Sequence, residues 1–187
     1  MSTVPQTLTY EDLERARDAS NERVELIEGE LFVTPSPTTI HQRVIRRLHH
    51  LLKEAIIDAG VGEFFSAPYD VKLADGSIVQ PDLVAVLTER FSLIAADGIE
   101  GVPDFIVEVV SPSSKTYDRV RKRDLYARHG VSEYWLVDPD ARGVTIFSDP
   151  QQGRYRSERA IRDTAVSGLI PGLSVDLMAL FAPFPDA

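Results

Sequence analysis

The segment Phe105-Ile106-Val107-Glu108-Val109-Val110 constrains this chain more than any other stretch of its length. It is apolar on both alternating faces, which requires a strand covered by other layers on both sides, the signature of a central strand. Phe105, Val107 and Val109 face one way. Ile106, Glu108 and Val110 face the other, so Glu108 is expected in the interior. An unpaired buried carboxylate costs several kcal/mol even after relaxation. Glu108 therefore needs a metal ion, a cation or a cluster of donors, and a purely structural pairing with an arginine is the competing reading.

The rest of the chain supplies the layers. Residues 10–18 are helix-like and acidic. Val24 to Pro35 reads as two strands joined by a tight turn at Glu28-Gly29, stopped by Pro35-Ser36-Pro37. Thr38 or Thr39 is placed to cap a helix over 40–57, where Ile40, Val44, Leu48, Leu51, Leu52, Ala55 and Ile56 recur at helical spacing and Gly60 and Gly62 follow. Residues 63–73 read as a strand interrupted near Pro68, with a turn at Asp75-Gly76. Pro81-Asp82 opens the short apolar strand LVAVL, and 88–103 form a connection with no clear pattern. After Glu108, the run Ser111 to Ser114 breaks the strand. A helix is expected over 117–128 with Gly130 just beyond its end, then a strand over 132–138, a strand pair at 143–148 and 154–161, and a closing segment from Leu173 to Phe181. Strands with two substantial helices give an α/β (α+β) class, a mixed sheet flanked by helices. At 187 residues and 43% hydrophobic content the chain has the size of one domain, 1–187.

Several function classes are disfavoured. There is no cysteine, which excludes disulfides and thiolate metal sites. No apolar run approaches membrane-spanning length, and Met1 to Tyr10 has no basic region leading into an apolar stretch, so the expected location is cytoplasmic, with no membrane partner. A net charge of −9 argues against a generally basic nucleic-acid surface. The charge is uneven, however. Residues 39–53 carry Arg43, Arg46, Arg47 and Lys53 and no acid, and residues 115–128 carry six bases against Asp118 and Asp124. These are either one basic groove or two solvated helix faces. Glycine-rich phosphate loops, a Gly-x-Ser-x-Gly elbow and His-Glu-x-x-His are all lacking.

Four further residues join Glu108 as candidates. If their strands are neighbours, the carboxylate of Asp82 converges on that of Glu108. Two carboxylates without thiolates favour a hard cation, Mg²⁺ or Mn²⁺; otherwise Pro81-Asp82 merely starts a strand. Lys122 lies in one helical stripe with Asp118 and Tyr126. It is suited to orient a water and offset charge on a phosphate, or else it makes a surface ion pair with Asp118. His41 lies in the first turn of the long helix, able to bind a metal or a phosphate there. Glu30, beside Gly29, is either a supporting residue or ordinary hairpin polarity.

Taken together, ELIEGELFVTPSPTTIH, QPDLVAV, PDFIVEVVSPSS, D-x-x-x-K-x-x-x-Y and GVSEYWLVDP resemble, in order, the Uma-two family of restriction-endonuclease-like proteins. This is a bacterial branch of the PD-(D/E)XK nuclease superfamily. The resemblance runs from about Leu8 to Phe181. It implies a restriction-endonuclease-like mixed sheet between helices and Mg²⁺-dependent hydrolysis of DNA. Asp82 matches the PD element and Glu108 the acidic element, both as metal ligands, with the carbonyl of Val109 as a third. The lysine that the superfamily places two residues after the acid is Val110 here, and Lys122 on the following helix takes its place. Glu30 and His41 also match positions of the branch.

A metal-dependent endonuclease is the leading expectation. Asp82, Glu108, Lys122 and His41 would form its catalytic group, and Arg43, Arg46, Arg119 and Arg123 would contact the DNA backbone. Cutting both strands of a duplex would call for a homodimer. A nuclease-fold binding or assembly module, linked to mobile elements, is the alternative. A hydrolase of small phosphate esters is a third.

Overall fold

A computed structural model describes residues 7–20, 22–34, 36–74, 76–111 and 117–183, with the side chains of 117–119 outside that description. Helix α1 (Tyr10–Asp18) is followed by the hairpin β1 (Arg23–Ile27) and β2 (Glu30–Thr34). Ile27 pairs with Glu30 across a two-residue turn in which Glu28 and Gly29 both have positive φ, 51° and 80°. That is the turn geometry whose twist matches a hairpin, and it needs glycine or a tolerant polar residue.

Helix α2 (Thr39–Leu52) is capped by Thr38, whose hydroxyl accepts from the His41 amide at 3.2 Å. It runs on through a wider π-type turn over Lys53–Asp58. Short strands follow: β3 (Gly62–Ser66), β4 (Val71–Lys72), β5 (Ile78–Val79) and β6 (Leu83–Leu87). The patternless connection resolves into a 3₁₀ turn at Thr88–Leu93, then β7 (Ile94–Ala95) and β8 (Gly98–Glu100). Next come β9 (Phe105–Val109), a π-type turn over Tyr117–Lys122 and α3 (Arg123–His129). Gly130, at φ 86°, closes α3 in the left-handed conformation. The chain ends with β10 (Glu133–Asp138), β11 (Gly143–Gln151), β12 (Arg154–Ile161), β13 (Thr164–Val166), β14 (Ser174–Asp176) and the short α4 (Leu177–Leu180).

Where the sequence suggests one mixed sheet, the fold has two large ones. One has the order β12-β11-β10-β9-β6-β3 and the other β2-β1-β5-β4-β8-β7, with β13 and β14 forming a small pair. The residues expected as one interrupted strand near Pro68 divide between them, β3 in the first sheet and β4 in the second. Strand β9 is central, antiparallel to β6 and parallel to β10. One face packs Phe105, Val107 and Val109 against Val44, Leu48 and Leu52 of α2. The other packs Ile106 and Val110 against Leu125 and Tyr126 of α3 and against Val71, Val79 and Ile99 of the second sheet. Val44, Leu48 and Leu52 are each at most 2% exposed, and burial of such a side chain contributes about 1.5–3 kcal/mol. Two covered faces are what the apolar pattern around Glu108 requires.

Candidate functional site

Register brings the two acids together. Leu83 of β6 pairs with Val107 of β9, and the same register carried one residue on sets Asp82 opposite Glu108. Asp82 lies just before β6 and is 5% exposed. Its Oδ2 accepts from the Val109 amide at 2.8 Å and lies 3.0 Å from His41 Nε2. His41 reaches it from the first turn of α2, the helix end that Thr38 fixes.

Glu108 is 2% exposed. Its Oε1 accepts from Lys122 Nζ at 2.7 Å and from the Tyr126 hydroxyl at 2.8 Å. Lys122 is itself 1% exposed, which overturns the reading of a surface lysine. It also donates to Glu25 Oε1 at 3.0 Å, so its ammonium bridges two buried carboxylates on different strands. Glu25, 0% exposed, accepts in addition from the Gln80 amide at 2.6 Å. The Gln80 side chain in turn donates to Asp70, and Asp70 receives both terminal nitrogens of Arg17 from α1 at 2.9 Å.

Arg23 completes the cluster. Its Nη1 donates to Asp82 Oδ1 at 3.0 Å and its Nη2 to the Gln80 carbonyl, and Nη2 lies 3.8 Å from Glu25 Oε1 and 4.0 Å from Glu108 Oε2. One guanidinium thus faces three buried carboxylates. Burial opposes its charge, but Glu25, Asp82 and Glu108 outweigh that and hold it firmly protonated. Burial likewise opposes ionisation of Asp82. The His41 contact, the charge of Arg23 and the Val109 amide outweigh it, leaving Asp82 well below the usual carboxylate range. Burial, reinforced by Glu108, pushes the Tyr126 hydroxyl well above its ordinary value, so it stays a donor.

These groups open onto a cavity of about 530 Å³ lined among others by Arg23, His41, Asp82, Glu108, Val109 and Lys122. A larger cavity of about 680 Å³, lined by residues such as Thr9, Leu26, Lys72 and Ile78, holds no comparable convergence of charge among the described residues.

The remaining candidates are more dispersed. Glu30 is exposed and pairs with Arg121 at 3.0 Å, so it does not reach the site. On α2, Arg43 is half-buried and Arg46 exposed, while Arg47 donates to the carbonyls of Leu180 and Ala182, a structural tie. Arg123 pairs with its neighbour Asp124 at 2.7 Å. The side chains of Asp118 and Arg119 lie outside the described residues. Val110, in the place of the usual lysine, is packed in the core behind α3.

Sequence reasoning passed over Arg23 and Glu25. Both lie on the face of β1 opposite Val24 and Leu26, beside Ile27, and that face is covered rather than open. The run Arg23-Val24-Glu25-Leu26 alternates like a strand with one solvated face, so the signal that found Glu108, apolar residues on both faces, is missing here.

Comparison with known proteins places the chain. The family model described as "Uma2: Putative restriction endonuclease" matches residues 8–178. The chain belongs to the Uma2 family. The Uma2 match spans every residue of the buried cluster, from Arg23 to Tyr126. Among solved structures the chain is similar to a protein from Anabaena variabilis described as "a putative nuclease belonging to DUF820". The two are 19% identical over 87% of this chain and 91% of that one, with a TM-score of 0.72. At that identity the likeness shows the shared fold, mixed α+β with two large sheets. No curated protein matches the chain.

Proposed function

We propose that this Uma2 protein is a divalent-metal-dependent nuclease that hydrolyses phosphodiester bonds of DNA. The observation that carries the reading is the buried convergence of Asp82, Glu108 and Lys122 at the wall of one cavity. Three buried carboxylates held on cations are a costly arrangement that a purely structural core seldom needs.

The donor set fits a hard cation. Its ligands are carboxylate oxygens without sulfur, and a guanidinium already lies among them, so the position suits positive charge. Among the described residues, no three His, Asp or Glu side chains close on one point as a finished cage. Asp82 and Glu108 would hold Mg²⁺ or Mn²⁺, with the Val109 carbonyl as a third ligand. The bound ion would supply Lewis acidity toward water and toward phosphate charge.

The chain's own residues do the rest. Tyr126 and Lys122 fix Glu108 Oε1, while His41 and the Val109 amide fix Asp82 Oδ2. Glu25 positions Lys122, whose ammonium would orient the attacking water and offset charge on the scissile phosphate. Arg43 and Arg46 on α2 would contact the DNA backbone, and cutting both strands would take two copies of the chain.

One observation favours a second reading. Lys122 and Arg23 are both already engaged by carboxylates, as suits a nuclease fold retained as a DNA-binding or assembly module. Cleavage of labelled single- and double-stranded DNA with Mg²⁺ or Mn²⁺, compared for wild type, Glu108→Gln and Lys122→Met, separates the two. The nuclease reading requires metal-dependent cleavage that both substitutions abolish. Tight, salt-sensitive DNA binding without any cleavage supports the module.

A further inference from the structure

We propose that Arg23 is the resident counter-cation of the metal-free site, and that a divalent ion enters by displacing its guanidinium from Asp82 and Glu108. This rests on the metal-dependent reading of the site and concerns what that reading asks of a residue outside the ligand set.

The geometry gives Arg23 the place of a cation. It is the one described basic side chain with ion-pair contacts within 4.0 Å to all three carboxylates, Glu25, Asp82 and Glu108. Electrostatics favour an exchange over an addition. Arg23 already occupies the space between the two proposed ligands, 3.0 Å from Asp82 and 4.0 Å from Glu108. A dication on the same carboxylates beside a retained guanidinium would meet strong like-charge repulsion in a buried site, whereas one that replaces it takes over the same attractions. Exchange is therefore the electrostatically preferred loading step.

The two cations differ in their freedom to leave. Lys122 is 1% exposed and hydrogen-bonded to carboxylates on two strands. The Arg23 side chain is 21% exposed and lines the cavity that reaches solvent. Its buried Nε has no hydrogen-bond partner among the described residues, so withdrawal breaks fewer contacts than its neighbourhood suggests. The guanidinium can turn outward along the cavity wall while β1 stays in place.

Calorimetric titration with Mn²⁺ on wild type, Arg23→Gln, Arg23→Lys and the pair Asp82→Asn/Glu108→Gln tests the proposal. Arg23→Gln is expected to bind Mn²⁺ at least about 10-fold more tightly, a modest share of the attraction of Arg23 to Asp82 and Glu108 that the entering ion must otherwise replace. Its metal-free form should melt below wild type and gain more from saturating Mn²⁺, whereas Arg23→Lys should bind no more tightly than wild type. In the wild type, saturating Mg²⁺ should shift the Arg23 Nε–Hε resonance, a readout that holds even where a variant does not fold. Folded Arg23→Gln binding Mn²⁺ no more tightly, or an unmoved Arg23 resonance at saturation, overturns the exchange. If that happens while wild type binds and the carboxylate pair variant does not, the metal site stands and only the role of Arg23 falls. Absence of Mn²⁺ binding by wild type and Arg23→Gln alike overturns both.

Discussion

Replacing Lys122 by methionine tests whether the cluster is held by charge. Methionine nearly preserves length and volume, so the substitution removes the cation with little cavity. At 2.7 Å from Glu108 and 3.0 Å from Glu25, the ammonium gains about 6 kcal/mol of gross attraction from each at an effective dielectric near 20. The cost of taking three charges out of water offsets most of that. The net loss follows the pattern of a buried ion pair stripped of one partner, about 3–5 kcal/mol. For a chain of this length that lowers the melting temperature by roughly 6–20 °C, at about 2–4 °C per kcal/mol. Urea unfolding and thermal melts at neutral pH read the effect directly. Adding Glu25→Gln should recover part of the loss, because it removes one of the stranded charges, whereas a packing defect would make the double variant worse. A Lys122→Met protein melting within about 2 °C of wild type would refute the reasoning, as would strictly additive losses.

Other outcomes rest on the same contacts. Tyr126→Phe keeps the buried ring but loses the 2.8 Å donation to Glu108, which should cost about 1.5–3 kcal/mol in urea unfolding, the range for a hydrogen bond to a charged group. Asp82, whose folded value lies below the ordinary value of about 3.9, adds stability that is complete above that value and is lost as pH falls through the folded one. The stability gap between wild type and Asp82→Asn, followed by acid titration of the melting temperature, should therefore narrow below about pH 4. Arg43→Ala/Arg46→Ala should weaken DNA binding evenly across sequences and flatten its log–log salt dependence by about 1.8, at about 0.9 per lost phosphate contact; an unchanged slope would remove α2 from the DNA-binding face.

The burial of Glu108 was legible because the apolar pattern of β9 leaves no solvated face, and a carboxylate there must be answered. The placement of Asp82 beside it needed only that β6 and β9 be neighbours, which two short apolar strands of similar length invite. The end of α3 was written in Gly130. The second sheet was not legible: β4, β5 and β7 are two residues each, too short for any period to show. Arg23 and Glu25 were hidden for a related reason. In a hairpin, an alternation such as Arg23-Val24-Glu25-Leu26 ordinarily means one wet face, and only Lys122 from the π-type turn and the α3 residues clustered with Ile27 make that face the wall of the site. Lys122 was placed on the correct element, but its burial between two acids depends on Glu25, which comes from far away in the chain.

The central claim is that the buried carboxylates serve chemistry on DNA, and the most direct measurement pairs cleavage with binding for one labelled duplex. Wild type and Asp82→Asn are compared with Mg²⁺ or Mn²⁺ present, after circular dichroism shows both folded. The account predicts metal-dependent cleavage by wild type and loss of cleavage by Asp82→Asn at closely similar DNA affinity. Equal cleavage by the two proteins, or cleavage that persists with the metal chelated, would contradict it.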